Sequence, residues 1–139
     1  MNITAKPDFS LNLTWQGGQR FSGTSDGGVS ITMDGKREAG PSPAQAVAFA
    51  LAGCMAIDVA DVIEKGRLPI RSLTCDMDVF RAPEAPRKIT GVELHFLVTG
   101  DIPENRVARA IELSREKYCS VWHSLHPSID FKTSFTVNP

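Results

Sequence analysis

From Pro43 to Ile57 the chain carries no charged side chain, and this run constrains the fold more than any other feature. It begins in the stretch "GPSPAQ". Ser42 can cap a helix N-terminus, Pro43 suits the first helical position, and Gln45 stands three residues after Ser42. That is the spacing of a capping box. The pattern predicts a helix from Pro43 to about Lys65, stopped by Gly66 and then Pro69. A helix that is apolar on every side must be buried on every side. Its charge-free part falls short of the roughly 20 residues that a membrane span requires. A chain of 139 residues has little material to wrap one helix completely. A second subunit is therefore expected to supply part of the cover.

Strand patterns flank this helix. Phe9, Leu11, Leu13 and Trp15 alternate with polar residues, Gly17-Gly18 makes a turn, and a second strand covers Gln19–Gly23. Asp26-Gly27-Gly28 turns the chain again, and Val29, Ile31 and Met33 give a third strand. Asp34–Gly40, charged and glycine-bearing, reads as a mobile loop. After the helix, Leu73, Cys75, Met77 and Val79 share one face of a strand, and the Ala82–Pro86 loop leads to Val92, Leu94, Phe96 and Val98. Asp101 and Glu104 suggest a second capping box. It opens a helix with Val107, Ile111, Ser114, Tyr118, Val121 and Leu125 on one stripe. Ile129 to Val137 alternates as a last strand. The order is βββ-α-ββ-α-β. It predicts an α+β fold, a single domain over 1–139, with antiparallel sheet and two helices on one side.

Composition closes off several function classes. A formal net charge of −1 leaves no footprint for nucleic acid or an anionic membrane. Met1 to Lys6 lacks a basic start followed by an apolar run, so no secretory leader is expected. Three widely spaced cysteines, with no CxxC, argue against a disulfide framework and a four-ligand zinc site. The expected compartment is the cytoplasm.

The cysteines differ in context. Cys75 sits on the inward face of a strand and reads as packing. Cys54 could be the same, but Gly53 precedes it. Glycine inside a helix costs about 1 kcal/mol relative to alanine and is kept where a backbone or ligand must come close. Asp58, one turn on, is an orienting carboxylate, a group bonded to nearby backbone, or the point where the helix reaches polar surroundings. Cys119 lies one step off the second helix's apolar stripe, with Arg115 one turn before it and His123 one turn after. The Cys119/His123 spacing could hold a metal, but two ligands do not make a site. His95 and His126 read as surface residues.

"GPSP" before the apolar helix, "AGCMAIDV" within it and "EKYCSV" in the second helix resemble the OsmC-like/Ohr family of thiol peroxidases, closest to its less-studied OsmC-like branch. The resemblance runs from about Trp15 to Val137. It implies an intertwined homodimer, with antiparallel sheets wrapped around long buried central helices and two active sites at the subunit interface. It implies that Cys54 attacks an organic hydroperoxide and that Cys119 then forms a disulfide with it. Arg20, in "GGQRF", matches the family arginine, which activates the thiolate. Where better-studied members carry a glutamate that holds this arginine, the chain has Ala44-Gln45.

The chemistry explains these residue types. Only the thiolate attacks the O–O bond, and apolar burial raises a thiol above its usual pKa of about 8.5. An arginine beside the sulfur counters this and can bind the peroxide oxygens. The sulfenic acid condenses with a second thiol, and an external dithiol resets the pair. No cofactor is required. The rival readings are a binding protein for a small hydrophobic ligand, with the cysteines as relics or redox sensors, and a purely structural dimer with core cysteines.

Overall fold

Residues 5–139 are described by a computed structural model, and the opening residues 1–4, on which the expectation of no leader partly rests, lie outside it. The chain forms two compact units, Met1–Val47 and Ala48–Pro139. In the first, β1 (Leu11–Trp15), β2 (Arg20–Ser25) and β3 (Ser30–Asp34) form an antiparallel meander. Gly17 and Gly18 both hold positive φ, which suits glycine, and let β1 fold back onto β2. A short 3-10 turn, Asp26–Gly28, joins β2 to β3.

The segment after β3 is a loop, as expected, and one carboxylate organises it. Asp34 is buried at its base and accepts the backbone N–H groups of Lys36 and Ala39 at 2.9 and 3.1 Å. The backbone N–H of Asp34 donates to the Pro41 carbonyl, and that of Gly35 to the Gln19 carbonyl. One carboxylate thus organises the turn, an arrangement that composition alone does not show.

Helix α1 (Pro43–Lys65) has the expected bounds. Gln45 N–H donates to Ser42 Oγ at 3.2 Å, and Ser42 N–H donates to Gln45 Oε1 at 3.0 Å, so the capping box is reciprocal. Leu51, Met55, Val59 and Ile63, at i, i+4, i+8 and i+12, are the stripe buried in the chain. Each such side chain contributes roughly 1.5–3 kcal/mol through burial. Phe49 and Ile57 remain 70% exposed. Within one chain the helix is therefore buried along one stripe, partly covered beside it at Ala52, Cys54 and Val62, and open at Phe49 and Ile57. Counted over its full 23 residues it is long and apolar enough to cross a bilayer by length and composition, which the charge-free part alone did not suggest.

In the second unit, β4 (Ile70–Arg81) pairs antiparallel with β5 (Ile89–Gly100), and β6 (Asp130–Val137) pairs parallel with β5. This last pairing corrects the expectation of wholly antiparallel sheet. Alternation fixes which side chains face inward and is blind to strand direction. The long helical connection from β5 to β6 is the crossover that a parallel pair requires. Val92, Leu94, Phe96 and Val98 form one buried face of β5, and helix residues including Leu51, Met55, Val107 and Ile111 share a core with them. The two helices pack on one side of this sheet, as expected.

The second helical region departs from a continuous helix. α2 (Glu104–Leu113) begins after Pro103, with no side-chain cap, so the predicted Asp101/Glu104 capping box does not form. The Pro103 carbonyl accepts Arg106 N–H at 3.0 Å instead. A π turn, Ser114–Tyr118, follows; Cys119 is extended, and α3 (Ser120–Ser124) starts from it.

Candidate active site

The π turn decides which residues face inward. One extra residue in a turn rotates all that follows by about 100° relative to an α-helix. Tyr118, placed on the apolar stripe by its spacing, is 50% exposed, and Cys119, placed one step off it, is 0% exposed. Ser114, at the start of the turn, is also fully buried. Cys119 caps α3 with its sulfur, which accepts Trp122 N–H at 3.3 Å.

On α1, Cys54 and Asp58 are i,i+4 neighbours and lie on one face. The Cys54 sulfur, the Cys119 sulfur and an Asp58 carboxylate oxygen all lie within 4.8 Å of one another. Ser114 Oγ donates to Asp58 Oδ2 at 2.7 Å. The constellation thus joins two helical segments distant in sequence, and a single chain supplies all four side chains. Among the described residues, Asp58 takes its side-chain hydrogen bond from a buried hydroxyl beside two thiols and not from neighbouring backbone.

Burial governs the acidity of the Cys119 sulfur. The Cys119 thiol is pushed up to about 11, first by burial, which disfavours the thiolate, with Cys54 and Asp58 adding to the rise. The Trp122 N–H bond opposes this only in part. The acidic group that the second unit sets beside the thiols is the Asp58 carboxyl. Cys75, paired with Phe96 across the β4–β5 ladder, is raised by burial and packs against the core, as its sequence context suggested.

Three atoms from Cys54, Asp58 and Cys119 fall one short of the four ligands of structural zinc, and the carboxylate is partly occupied by Ser114. His123 is exposed and contributes its backbone N–H to the Cys119 carbonyl. Arg115 stacks on Trp122 and Phe131, 5.9 and 4.9 Å from the ring centroids. His95 is not a free surface residue: its ring nitrogens meet Ser134 Oγ at 2.6 Å and Thr136 Oγ1 at 3.0 Å. His126 is exposed, as expected.

Arg20 lies in the first unit, on β2 directly opposite Asp34. Its Nε is 3.5 Å from Asp34 Oδ2, and its Nη2 is 3.9 Å from Glu38 Oε2. Asp34 is held below the usual carboxylate range, first by the Lys36 and Ala39 N–H groups and further by the Arg20 charge. The carboxylates that hold Arg20 therefore come from β3 and the turn after it. The Gln45 amide oxygen is engaged in the capping box. The space beside Gly53 is open, as room for a ligand or another backbone requires. A Cβ built there meets no described atom within 4 Å, so no described part of this chain makes the close approach inferred from it.

Sequence reasoning missed Ser114 and Asp34. A serine on an apolar helical stripe was the signal for the first. For the second, the signal was an aspartate two and five residues before the amides it accepts.

A model of the OsmC-like protein family matches residues 34–134. The chain belongs to this family. It is 42% identical over 127 residues to protein YhfA of Escherichia coli, covering 90% of this chain and 95% of that protein. Among solved structures, a hypothetical protein from Aquifex aeolicus superposes with a TM-score of 0.87 at 24% identity, covering 96% of this chain and 98% of the other. An organic hydroperoxide resistance protein OsmC from Legionella pneumophila superposes with a TM-score of 0.69 at 18% identity, covering 96% and 100%. At these identities the two structures speak for the fold. It is the α+β architecture that the OsmC-like resemblance implied.

Proposed function

We propose that the protein is a thiol-dependent peroxidase that reduces organic hydroperoxides in oxidative-stress defence. The Cys54 thiolate attacks the O–O bond, giving a sulfenic acid and an alkoxide that leaves as the alcohol. The Cys119 thiol condenses with the sulfenic acid to a Cys54–Cys119 disulfide and water, and an external dithiol reduces the disulfide. No cofactor takes part. Arg20 is the activating cation, held by Asp34 and Glu38. The observation that carries the reading is the approach of the two sulfurs to within 4.8 Å.

The working unit is a homodimer in the cytoplasm. A second copy of the chain is the partner that suits α1, whose exposed Phe49 and Ile57 and open Gly53 leave an apolar face uncovered. Ile57→Lys alters a side chain already exposed in one chain, so it is expected to leave the fold intact and shift the protein to monomers in analytical ultracentrifugation. A stable dimer in that variant would remove α1 from the interface.

One equivalent of cumene hydroperoxide should lower the free thiols from three to one, as read by thiol titration and intact mass. Cys54→Ser should lose no thiol under the same treatment. A wild-type count that stays at three, or a Cys54→Ser count that still falls by two, sinks the mechanism. One observation favours a second reading, a binding protein for a small hydrophobic ligand or a redox sensor with weak peroxidase activity. That observation is the Asp58 carboxylate beside the thiols, which opposes thiolate formation. Slow peroxide consumption together with co-purified apolar material would favour it.

A further inference from the structure

The peroxidase reading gives no task to Asp58, although a buried hydroxyl, that of Ser114, holds its carboxylate beside the two thiols. A carboxylate next to a nucleophilic sulfur makes the thiolate harder to form, so it is a liability for the first chemical step. The second step has the opposite requirement. Cys119 must lose a proton, and the hydroxyl of a Cys54 sulfenic acid must gain one to leave as water. The group within 4.8 Å of both sulfurs is the Asp58 carboxylate, with Ser114 Oγ bonded to one of its oxygens.

We propose that Asp58 is the acid–base residue of disulfide formation, carrying the Cys119 proton to the departing sulfenic hydroxyl. The inference rests on the peroxidase reading above. The carboxylate takes the proton from Cys119 Sγ as that sulfur's electron pair attacks the Cys54 sulfur. The S–S bond forms and the S–O bond of the sulfenic acid breaks. The hydroxide takes the proton back from Asp58 and leaves as water, so Asp58 ends as it began. The Cys119 sulfur is oxidised, the Cys54 sulfur is reduced from the sulfenic to the disulfide level, and no further oxidant is consumed.

Concerted transfer is what makes a carboxylate suitable. Complete transfer from so weakly acidic a thiol before attack would be strongly uphill; transfer during bond formation is driven by the new S–S bond. The Trp122 N–H on Cys119 stabilises the charge that builds on the sulfur in the meantime. Ser114 is a positioning residue: its hydroxyl fixes one carboxylate oxygen and leaves the other for the proton. The titratable groups facing Asp58 are Cys54 on its own helix and Cys119 on the second helical segment. The nearby face of β5 is apolar, Cys75 on β4 packs against the same core, and Arg115 is turned onto Trp122 and Phe131.

The test uses the full reduced chain in rapid-mixing experiments with cumene hydroperoxide, following sulfenic acid by dimedone capture and disulfide by quenched intact mass. In Asp58→Asn, sulfenic acid should form at least as fast as in wild type, because a negative charge has been removed. The disulfide should then form on the order of a hundred times more slowly, the lower end of what acid–base assistance supplies. Its rate should climb with pH across the neutral range, whereas the wild-type rate stays level there. Ser114→Ala, which keeps the carboxylate, should lose a smaller factor and keep the level profile. Unchanged disulfide kinetics and pH profile in Asp58→Asn would overturn the proposal. Should that variant not fold, the solvent deuterium isotope effect on the wild-type disulfide step decides: an effect near unity overturns it. A separate arm loads Cys54 with an aromatic disulfide reagent and follows release of the aromatic thiolate by Cys119. This step needs the same deprotonation and no peroxide. If hydroperoxide fails to oxidise Cys54 while Asp58→Asn still slows this release, the peroxidase reading fails and the acid–base role stands. If release is equally fast in both proteins, the acid–base role fails.

Discussion

The two helical regions that bring the thiols together are built on opposite plans. α1 is regular from its capping box to Lys65 and leaves Cys54 partly exposed beside Gly53. The region from Glu104 to Ser124 is broken by a π turn and an extended residue, and it buries Cys119 completely. Within one chain the regular helix therefore leaves its sulfur partly open. The broken one delivers a sulfur that only its partner can reach. A peroxidase that must meet its substrate with one thiol and protect the product with the other requires this asymmetry.

The sharpest way to break the comparison is to remove each sulfur in turn. Cys54→Ser should abolish turnover of organic hydroperoxide in a dithiol-coupled assay. Cys119→Ser should still oxidise once, at the wild-type rate, and then accumulate sulfenic acid that excess peroxide drives to the sulfinic level. Equal behaviour of the two variants would mean that exposure does not set the roles.

Next in size is the effect of the π turn. Deleting Lys117 removes one residue from it, restores α-helical phase and rotates Cys119 off the core by about 100°. The Cys54–Cys119 disulfide should then no longer form. Cys119 should react with an alkylating reagent in the folded protein, on the order of the rate of an exposed thiol. An unreactive Cys119 in this variant would show that the turn does not set its orientation.

The smallest effect is thermodynamic. The folded state raises the Cys119 thiol from 9.0 to about 11, so between those values the folded chain binds more protons than the unfolded one. The contribution is fully present below pH 9 and is lost as pH rises toward 11. Stability measured by urea unfolding should fall over this window in the wild type and fall less in Cys119→Ser. Thiolate absorbance should show the same late titration. A Cys119 that ionises near its ordinary value would place it in a wetter site than its burial indicates.

Much of this was legible in the residues themselves. Ser42, Pro43 and Gln45 marked the start of α1, and Gly66 its end, because capping and helix termination are local interactions. The inward faces of β4, β5 and β6 followed from alternation. The charge-free run identified the helix that one chain does not cover. Cys54 and Cys119 were singled out by context, by Gly53 and by their resemblance to OsmC-like sequences. The parallel direction of β6 was hidden, because alternation is the same for either direction. Cys119 seemed to lie off the core because an unbroken 3.6-residue period was assumed through a segment that contains a π turn.

The sequence by itself thus determined the elements, their order and their buried faces, since each depends on neighbours a few residues away. Only the tertiary structure decided that Cys54, Cys119, Asp58 and Ser114 share one cluster and that Asp34, not Gln45, holds Arg20. These pairings join segments distant in the chain, and their geometry is set by how the core packs, which no local pattern encodes.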